Sequence, residues 1–215
     1  GAEDQVPLGA QGGGEALAQE LYAKHRIRPL LCGLIGPETA GWFRIPIDSL
    51  ADIRGLKIRF AGLGGRVLED LGASVTLIPG GEIFQALEKG AIDATEYSLP
   101  RVDQLLGFDR VARFNYFPGW HQTFTAAHLV VNLDVWEALS TAEQGLLETT
   151  CAAGVAHNLA AAEQQQGPVL RAFAERGIEA RRLPEALLRE LAAVTARVLE
   201  AEAARDDDFR AIYAS

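Results

Sequence analysis

Between Gly55 and Tyr97 the chain alternates short apolar runs with helix-length segments, and this alternation restricts the fold more than any other feature of its 215 residues. Leu56 to Phe60, Ser74 to Ile78 and Ala91 to Glu96 read as strands. The segments between them carry apolar stripes, Val67, Leu68 and Leu71 in the first, Ile83, Phe84 and Leu87 in the second. Each ends at a glycine, Gly72 or Gly90, which can take the positive φ of a helix stop. Two consecutive βαβ units follow, and with them an α/β fold. In an open α/β sheet, ligands bind in the crevice at the carboxyl ends of the strands. Arg59 leaves the first strand at that end and Glu96 leaves the third, so a guanidinium and a carboxylate are expected to face one small space.

The rest of the chain supports this unit. Residues 1–14 are polar and glycine-rich and read as a loop. Glu15 to Lys24 reads as a helix and Arg28 to Leu34 as a buried strand. Glu38 then falls in a loop, and Gly41-Trp42-Phe43 reads as a tight turn with aromatic anchors. Asp48 or Ser49 can cap a short helical turn. Gly62 to Gly65 reads as a loop whose amides approach an anion at a helix N-terminus. It lacks the third glycine and the following acid of a dinucleotide fingerprint. Glu82 reads as a cap that complements a helix dipole. Arg110 to Phe117 and Ala126 to Asn132 read as extended. Ser140 and Glu143 form a capping box for a long alanine-rich helix reaching Gln165. Gly167-Pro168 is expected to break or kink it, with Leu170 to Arg176 resuming and Gly177 stopping it. Ile178 to Leu183 reads as extended, Glu185 to Ala204 as a last amphipathic helix, and the tail as a short helix.

Composition excludes some functions. A net charge of -9 and a pI near 5.0 oppose nucleic-acid binding, which requires a basic surface. No apolar run reaches the roughly 18–20 residues that span a bilayer, and no export signal opens the chain. Cys32 and Cys151 have no partner at metal or redox spacing and read as buried free thiols. His25, His121, His128 and His157 show no ligand spacing, so none stands out for zinc. Arg59 closes an apolar strand, where a guanidinium must be paired; the partner is either a protein carboxylate or a ligand's. Glu96 is either a solvated strand-end acid or a functional one. Trp42, Trp120 and Trp136 read as core or hinge aromatics, with Trp120 the best candidate for a ligand wall. A serine hydrolase would need a GxSxG elbow, and none is present.

Lys57 to Arg59, Gly62 to Gly65, Pro79 to Phe84 and Gly90 to Glu96, preceded by DSLADIRG, resemble the solute-binding proteins of tripartite ATP-independent periplasmic (TRAP) transporters. Within that DctP-type family they are most similar to the branch that binds 2-oxo acids, lactate and related small carboxylates. The resemblance covers roughly Glu15 to the C-terminus. It implies a periplasmic-binding-protein-like (type II) α/β lobe with crossover strands and long C-terminal helices. It also implies that Arg59, on the family's KxR motif, holds the ligand carboxylate. Glu96 falls on the acid that helps hold a metal ion bridging to the substrate. Tyr97 replaces the usual tryptophan beside it, keeping an aromatic body and adding a hydroxyl. Glu38 stands where the branch has a glutamine ligand for the ion, and a carboxylate there also suits a hard cation. Trp120-His121-Gln122 stands where the branch often has Trp-His-Glu. The exchange of acid and amide at Glu38 and Gln122 conserves local charge if both reach one site.

The expected site is therefore Arg59, Glu96, Tyr97, Glu38, Gln122 and Trp120, with Glu38, Glu96 and Tyr97 around a sodium or calcium ion; loss of the ion is the alternative. The expected division is an α/β lobe over 1–95, crossover strands of the other lobe over 96–133, and hinge and C-terminal helices over 134–215. Most of the N-terminal lobe is expected to be absent, which would strip residues Leu99 to Phe124 of sheet partners and expose an apolar patch. The implied role is capture, in the periplasm and without catalysis, of a 2-oxo or 2-hydroxy monocarboxylate for membrane permease subunits, with a homodimer allowed. A small α/β hydrolase-like enzyme and a non-binding truncated remnant are the alternatives.

Overall fold

The computed structural model describes residues 13–214. The chain runs through α1 (Gly14–Ala23), β1 (Ile27–Ile35), β2 (Gly41–Phe43), a 3-10 turn (Leu50–Ile53), β3 (Lys57–Arg59) and α2 (Gly62–Asp70). It continues through β4 (Ser74–Thr76), α3 (Gly80–Glu88), β5 (Ala94–Thr95), α4 (Pro100–Leu106), a second 3-10 turn (Phe108–Arg110), β6 (Phe114–Phe117) and β7 (Thr125–Asn132). It ends with α5 (Leu133–Ala138), α6 (Thr141–Glu175), β8 (Glu179–Arg182), α7 (Glu185–Arg205) and α8 (Asp207–Tyr213). These elements fall into two compact units. One comprises Gly1–Gly36, Phe124–Gln164 and Asp206–Ser215, the other Pro37–Thr123 and Gln165–Arg205.

The second unit is built on a six-stranded sheet in the order β4-β3-β5-β2-β6-β8. Strands β4, β3 and β5 are parallel, as the βαβ alternation predicts; β2 runs against both β5 and β6; β8 pairs parallel to β6. One core gathers Ile53, Leu56, Ile58, Phe60, Val67, Leu68, Leu187, Leu191 and Val194. A second gathers Trp42, Ile83, Leu87, Phe108, Val169 and Phe173. Ser49 and Asp52 close the expected cap, the Asp52 carboxylate accepting from the Ser49 amide at 2.8 Å.

The first unit is smaller in its core. Strands β1 and β7 form an antiparallel ribbon with an irregularity between Leu31 and Gly33. Leu30, Trp136 and Cys151 are its buried centre. The capping box at the start of α6 forms as expected, the Glu143 carboxylate accepting from the Ser140 amide at 2.8 Å.

Several expectations give way. Cys32 and Cys151 are not free thiols: they form a disulfide across 119 residues of sequence, because the β1–β7 ribbon and α6 bring two distant segments into one core. The stretch Gly62 to Gly65 is no loop; it is already the first turn of α2. Gly167-Pro168 does not end a helix, since α6 continues through Pro168. Val169 and Phe173, buried in the second core, hold the turns beyond the proline. Gly41-Trp42-Phe43 is a strand. Residues 96–133 are shared between units: β6 lies in the six-stranded sheet and β7 in the ribbon. Within 99–124, β6 keeps sheet neighbours on both sides. Val102, Leu105 and Phe124 in that stretch are nonetheless exposed apolar side chains, as are Leu129 and Val130 on β7. The loop expected over 1–14 lies largely outside the described residues.

Candidate functional site: a cation and carboxylate centre at the strand ends

The direction of β2 builds the site. Strands β3, β5 and β6 all end at one edge of the sheet, and β2, running the other way between β5 and β6, begins there. The residue that closes β3 is Arg59, the one after β5 is Glu96, the turn after β6 carries Trp120, His121 and Gln122, and the turn before β2 carries Glu38. One sheet edge thus receives a side chain from each of four neighbouring strands.

Arg59 and Glu96 meet directly. Arg59 is 8% exposed and Glu96 4%. The guanidinium donates through Nη1 to the Glu96 carbonyl at 2.6 Å and to its carboxylate at 3.2 Å, and through Nε to the Ile78 carbonyl at 3.4 Å. It also lies over the Tyr97 ring, 5.2 Å from its centroid. The paired partner that burial demands is therefore present. These bonds use Nε and Nη1 of the fork, and none runs from Nη2 to a described residue.

The acids converge on an imidazole. His121 Nε2 stands 3.6 Å from Glu96 Oε1 and 4.0 Å from Glu38 Oε2, and all three side chains are at most 6% exposed. One ligand atom from each lies within 4.8 Å of the others. Neither ring nitrogen of His121 has a hydrogen-bond partner among the described residues, although both are buried. Gln122 donates to Glu38 Oε1 at 3.3 Å, so the exchanged acid and amide touch each other. The backbone carries this pair too, with the Glu38 amide donating to the Gln122 carbonyl at 3.3 Å. Gly119 permits the approach: a β-carbon there would stand 2.2 Å from the Glu38 carbonyl oxygen.

Aromatic rings enclose the centre. Phe60 packs edge-on to His121 at 4.7 Å and tilted against Trp120 at 5.8 Å. Tyr97 seats its hydroxyl over the start of α3, so close that a β-carbon at Gly80 would lie 2.6 Å from the phenol oxygen. That hydroxyl is directed at α3, whereas Glu38, Glu96 and His121 form the cluster. Trp42 is core, its indole donating at 2.8 Å to Asp103, which is wholly buried. Burial pushes the Asp103 carboxyl up to about 8; the Trp42 hydrogen bond opposes this, and the charges of Glu96 and Glu38 add to it.

Of the residues expected from sequence, Arg59, Glu96, Glu38 and Gln122 lie in this centre, Tyr97 lies against Arg59, and Trp120 lies on Phe60. His121 has no telling spacing in the sequence, because Glu38 and Glu96 reach it from separate segments of the chain. The available signal was its position just past a strand end, the same signal that identified Arg59 and Glu96. Two buried carboxylates and an unpartnered imidazole within reach of one point are a donor set that fits a metal cation.

The fold is that of type II periplasmic binding proteins, with a guanidinium, two carboxylates and an imidazole gathered at its strand ends. The chain belongs to the DctP family, bacterial extracellular solute-binding protein family 7, which matches residues 4–206. It is 34% identical over 215 residues to a monocarboxylate 2-oxoacid-binding periplasmic protein of Nostoc sp. (strain PCC 7120), covering 99% of this chain and 58% of that protein. A TRAP transporter solute-binding protein of Bordetella bronchiseptica superposes with a TM-score of 0.93 at 35% identity, over 99% of this chain and 63% of its own; it was crystallised as a mixed-occupancy dimer with copurified calcium and picolinate. One from Colwellia psychrerythraea, with bound calcium and pyruvate, gives 0.92 at 30% identity over 98% of this chain and 65% of its own. One from Pseudoalteromonas atlantica, with sodium and pyruvate, gives 0.90 at 30% identity over 98% and 64%. The chain thus spans about 60% of the length of these relatives. The family and these neighbours are binding proteins. Among the described residues no helix is long and apolar enough to cross a membrane.

Proposed function

We propose that this chain carries the ligand-holding strand ends of a TRAP-type extracytoplasmic receptor, which captures a small 2-oxo or 2-hydroxy monocarboxylate with the help of a cation and delivers it to membrane permease subunits. The convergence of Arg59 with Glu38, Glu96 and His121 carries this reading. Formally, two carboxylates face one guanidinium, so a carboxylate ligand adds negative charge to a site already in excess of it. A cation beside Glu38 and Glu96 reconciles the two, and Arg59 supplies directed donors to the ligand's carboxylate. Calcium and sodium are the ions held with pyruvate by the neighbours from Colwellia and Pseudoalteromonas.

Glu38 and Glu96 hold the ion, Gln122 fixes Glu38, and Trp120 and the Tyr97 ring wall the ligand. The role needs no bond-breaking chemistry. A Cys32–Cys151 disulfide supports a periplasmic setting, since such bonds persist in oxidising compartments. A homodimer of the complete receptor accords with the Bordetella neighbour. Tryptophan fluorescence of the calcium-loaded chain, titrated with pyruvate, lactate and longer 2-oxo acids, tests the reading. Saturable change without turnover is expected, and Arg59→Ala is expected to weaken it at least about a hundredfold, the scale of losing a bidentate charged hydrogen bond at a buried site. Turnover would favour the hydrolase-like alternative, and silence towards every acid the non-binding remnant.

A further inference from the structure

The six-stranded sheet has a second edge, opposite the one that gathers Arg59 and Glu96. Strands β5, β6 and β8 begin there and β2 ends there. Asp93 precedes β5, Arg113 precedes β6, Ile178 precedes β8 and Arg44 follows β2. Together with Asp109 and Arg110 of the second 3-10 turn they line an open recess of about 390 Å³. That volume lies within the range of small-molecule sites.

Three guanidiniums lining one recess stand out on a chain of net charge -9. The acids around them are already engaged. Asp109, whose side chain is 2% exposed, stands 2.6 Å from Arg176. Asp93 accepts from the Lys57 amide at 3.2 Å, and Glu179 pairs with Arg113 at 3.2 Å. Arg44 and Arg110 remain, and neither side chain has a hydrogen bond or ion pair among the described residues. Both are nevertheless anchored. A β-carbon at Gly90 would stand 2.9 Å from Arg44 Nη1, and one at Gly107 would stand 3.5 Å from Arg110 Nε. Gly107 is the C-cap of α4, and Gly90 directly follows that of α3. A helix C-terminus offsets roughly half an elementary charge. It therefore draws each guanidinium to the recess while leaving much of its charge, and its fork of donors, unused.

We infer that this recess is a second anion site, which takes a small oxyanion on Arg44 and Arg110 with Arg113 beside them. A planar guanidinium matches two oxygens of a phosphate or a carboxylate, and two such groups favour an anion of more than one charge. The Asp109–Arg176 pair behind them adds no net charge. The inference goes beyond the receptor reading and does not rest on it. Asp93 and Glu96 bracket β5 from its two ends, so occupancy of the two sites can be read separately.

The test is a titration of the nitrogen-15-labelled chain, in low-salt buffer free of other oxyanions, with inorganic phosphate and separately with succinate. Expected are saturable shifts of the backbone amides of Arg44, Asp93, Arg110 and Arg113 with at least one of the two, at a dissociation constant of about 1 mM or below. The tighter of the two identifies the class of oxyanion, and phosphate is expected to leave the amides of Glu96 and His121 unmoved. Arg44→Gln combined with Arg110→Gln changes only exposed side chains. It is expected to weaken the recess response at least about tenfold and to leave the fluorescence response to calcium and pyruvate unchanged. Shifts in the parent chain that fail to saturate, or that spread equally to exposed arginines elsewhere such as Arg189 and Arg197, overturn the inference without any variant. So does a doubly substituted chain that keeps the parent affinity. Saturation of the recess in a chain that binds no 2-oxo acid removes the receptor role and leaves this site; pyruvate binding with a silent recess does the reverse.

Discussion

Asp103 shows how one side chain sets a pH response. Its carboxyl is wholly buried and raised to about 8 from an ordinary 3.8. Between those values the folded chain holds a proton that the unfolded chain has released, so stability falls as pH rises through the interval. Asp103→Asn removes this dependence while keeping an acceptor for the Trp42 indole. The variant is expected to gain on the parent as pH climbs from about 4 to about 8, with the gap reaching the order of a few kcal/mol, read by urea unfolding at several pH values. A parallel pair of stability curves would remove Asp103 as the source. Arg59 and Glu96 were legible from sequence because a lone charge closing an apolar strand has few explanations. Asp103 was not: an acid in an α-helical stretch looks solvated until Trp42, a distant residue, is seen to donate to it.

At the scale of elements, the parallel order of β4, β3 and β5 could be read from alternation alone, and so could the helices of that segment. The reversal of β2 could not, since three residues carry too little pattern to distinguish a strand from a turn. That reversal brings Glu38 to the others. Its position also depends on the turn after β6, where Gly119 passes beneath the Glu38 carbonyl. Gly119→Ala forces a β-carbon to 2.2 Å from that oxygen, a clash with backbone that no side-chain rotation relieves. The expected result is a chain that unfolds cooperatively, with stability lowered by about 1–3 kcal/mol and with cation affinity reduced at least tenfold. Wild-type cation affinity in a folded Gly119→Ala chain would show that the two turns are not coupled. The helical character of Gly62 to Gly65 is not legible from glycine content for a related reason: Gly64 sits so close to Phe60 that a β-carbon would stand 2.5 Å from its ring, and such closeness is not visible in a string.

For the whole molecule, the disulfide is the main departure from the sequence reading. Neither cysteine sits in a motif, and 119 residues separate them, so only the tertiary arrangement of the ribbon and α6 discloses the bond. It joins two of the three chain segments that make up the smaller unit, whose buried centre is limited to a few side chains. Replacing both cysteines by serine is expected to cost about 2–5 kcal/mol by relaxing that constraint on the unfolded chain. Trp136 reports on this unit, and Trp42 and Trp120 on the other. Reduction is accordingly expected to lower the transition followed by Trp136 and to leave the proposed cation site of the sheet unit in place; equal loss in both units would show them to unfold as one. The short strand β2 has a different implication. It is held by pairing at Trp42 and Phe43 on one side and at Gly41, Trp42 and Phe43 on the other. A slide by a single residue would turn each of its side chains to the opposite face and carry the preceding acid out of reach of its partners. Anyone redesigning this site for a new ligand therefore has latitude in the walls and very little in the backbone between residues 38 and 43.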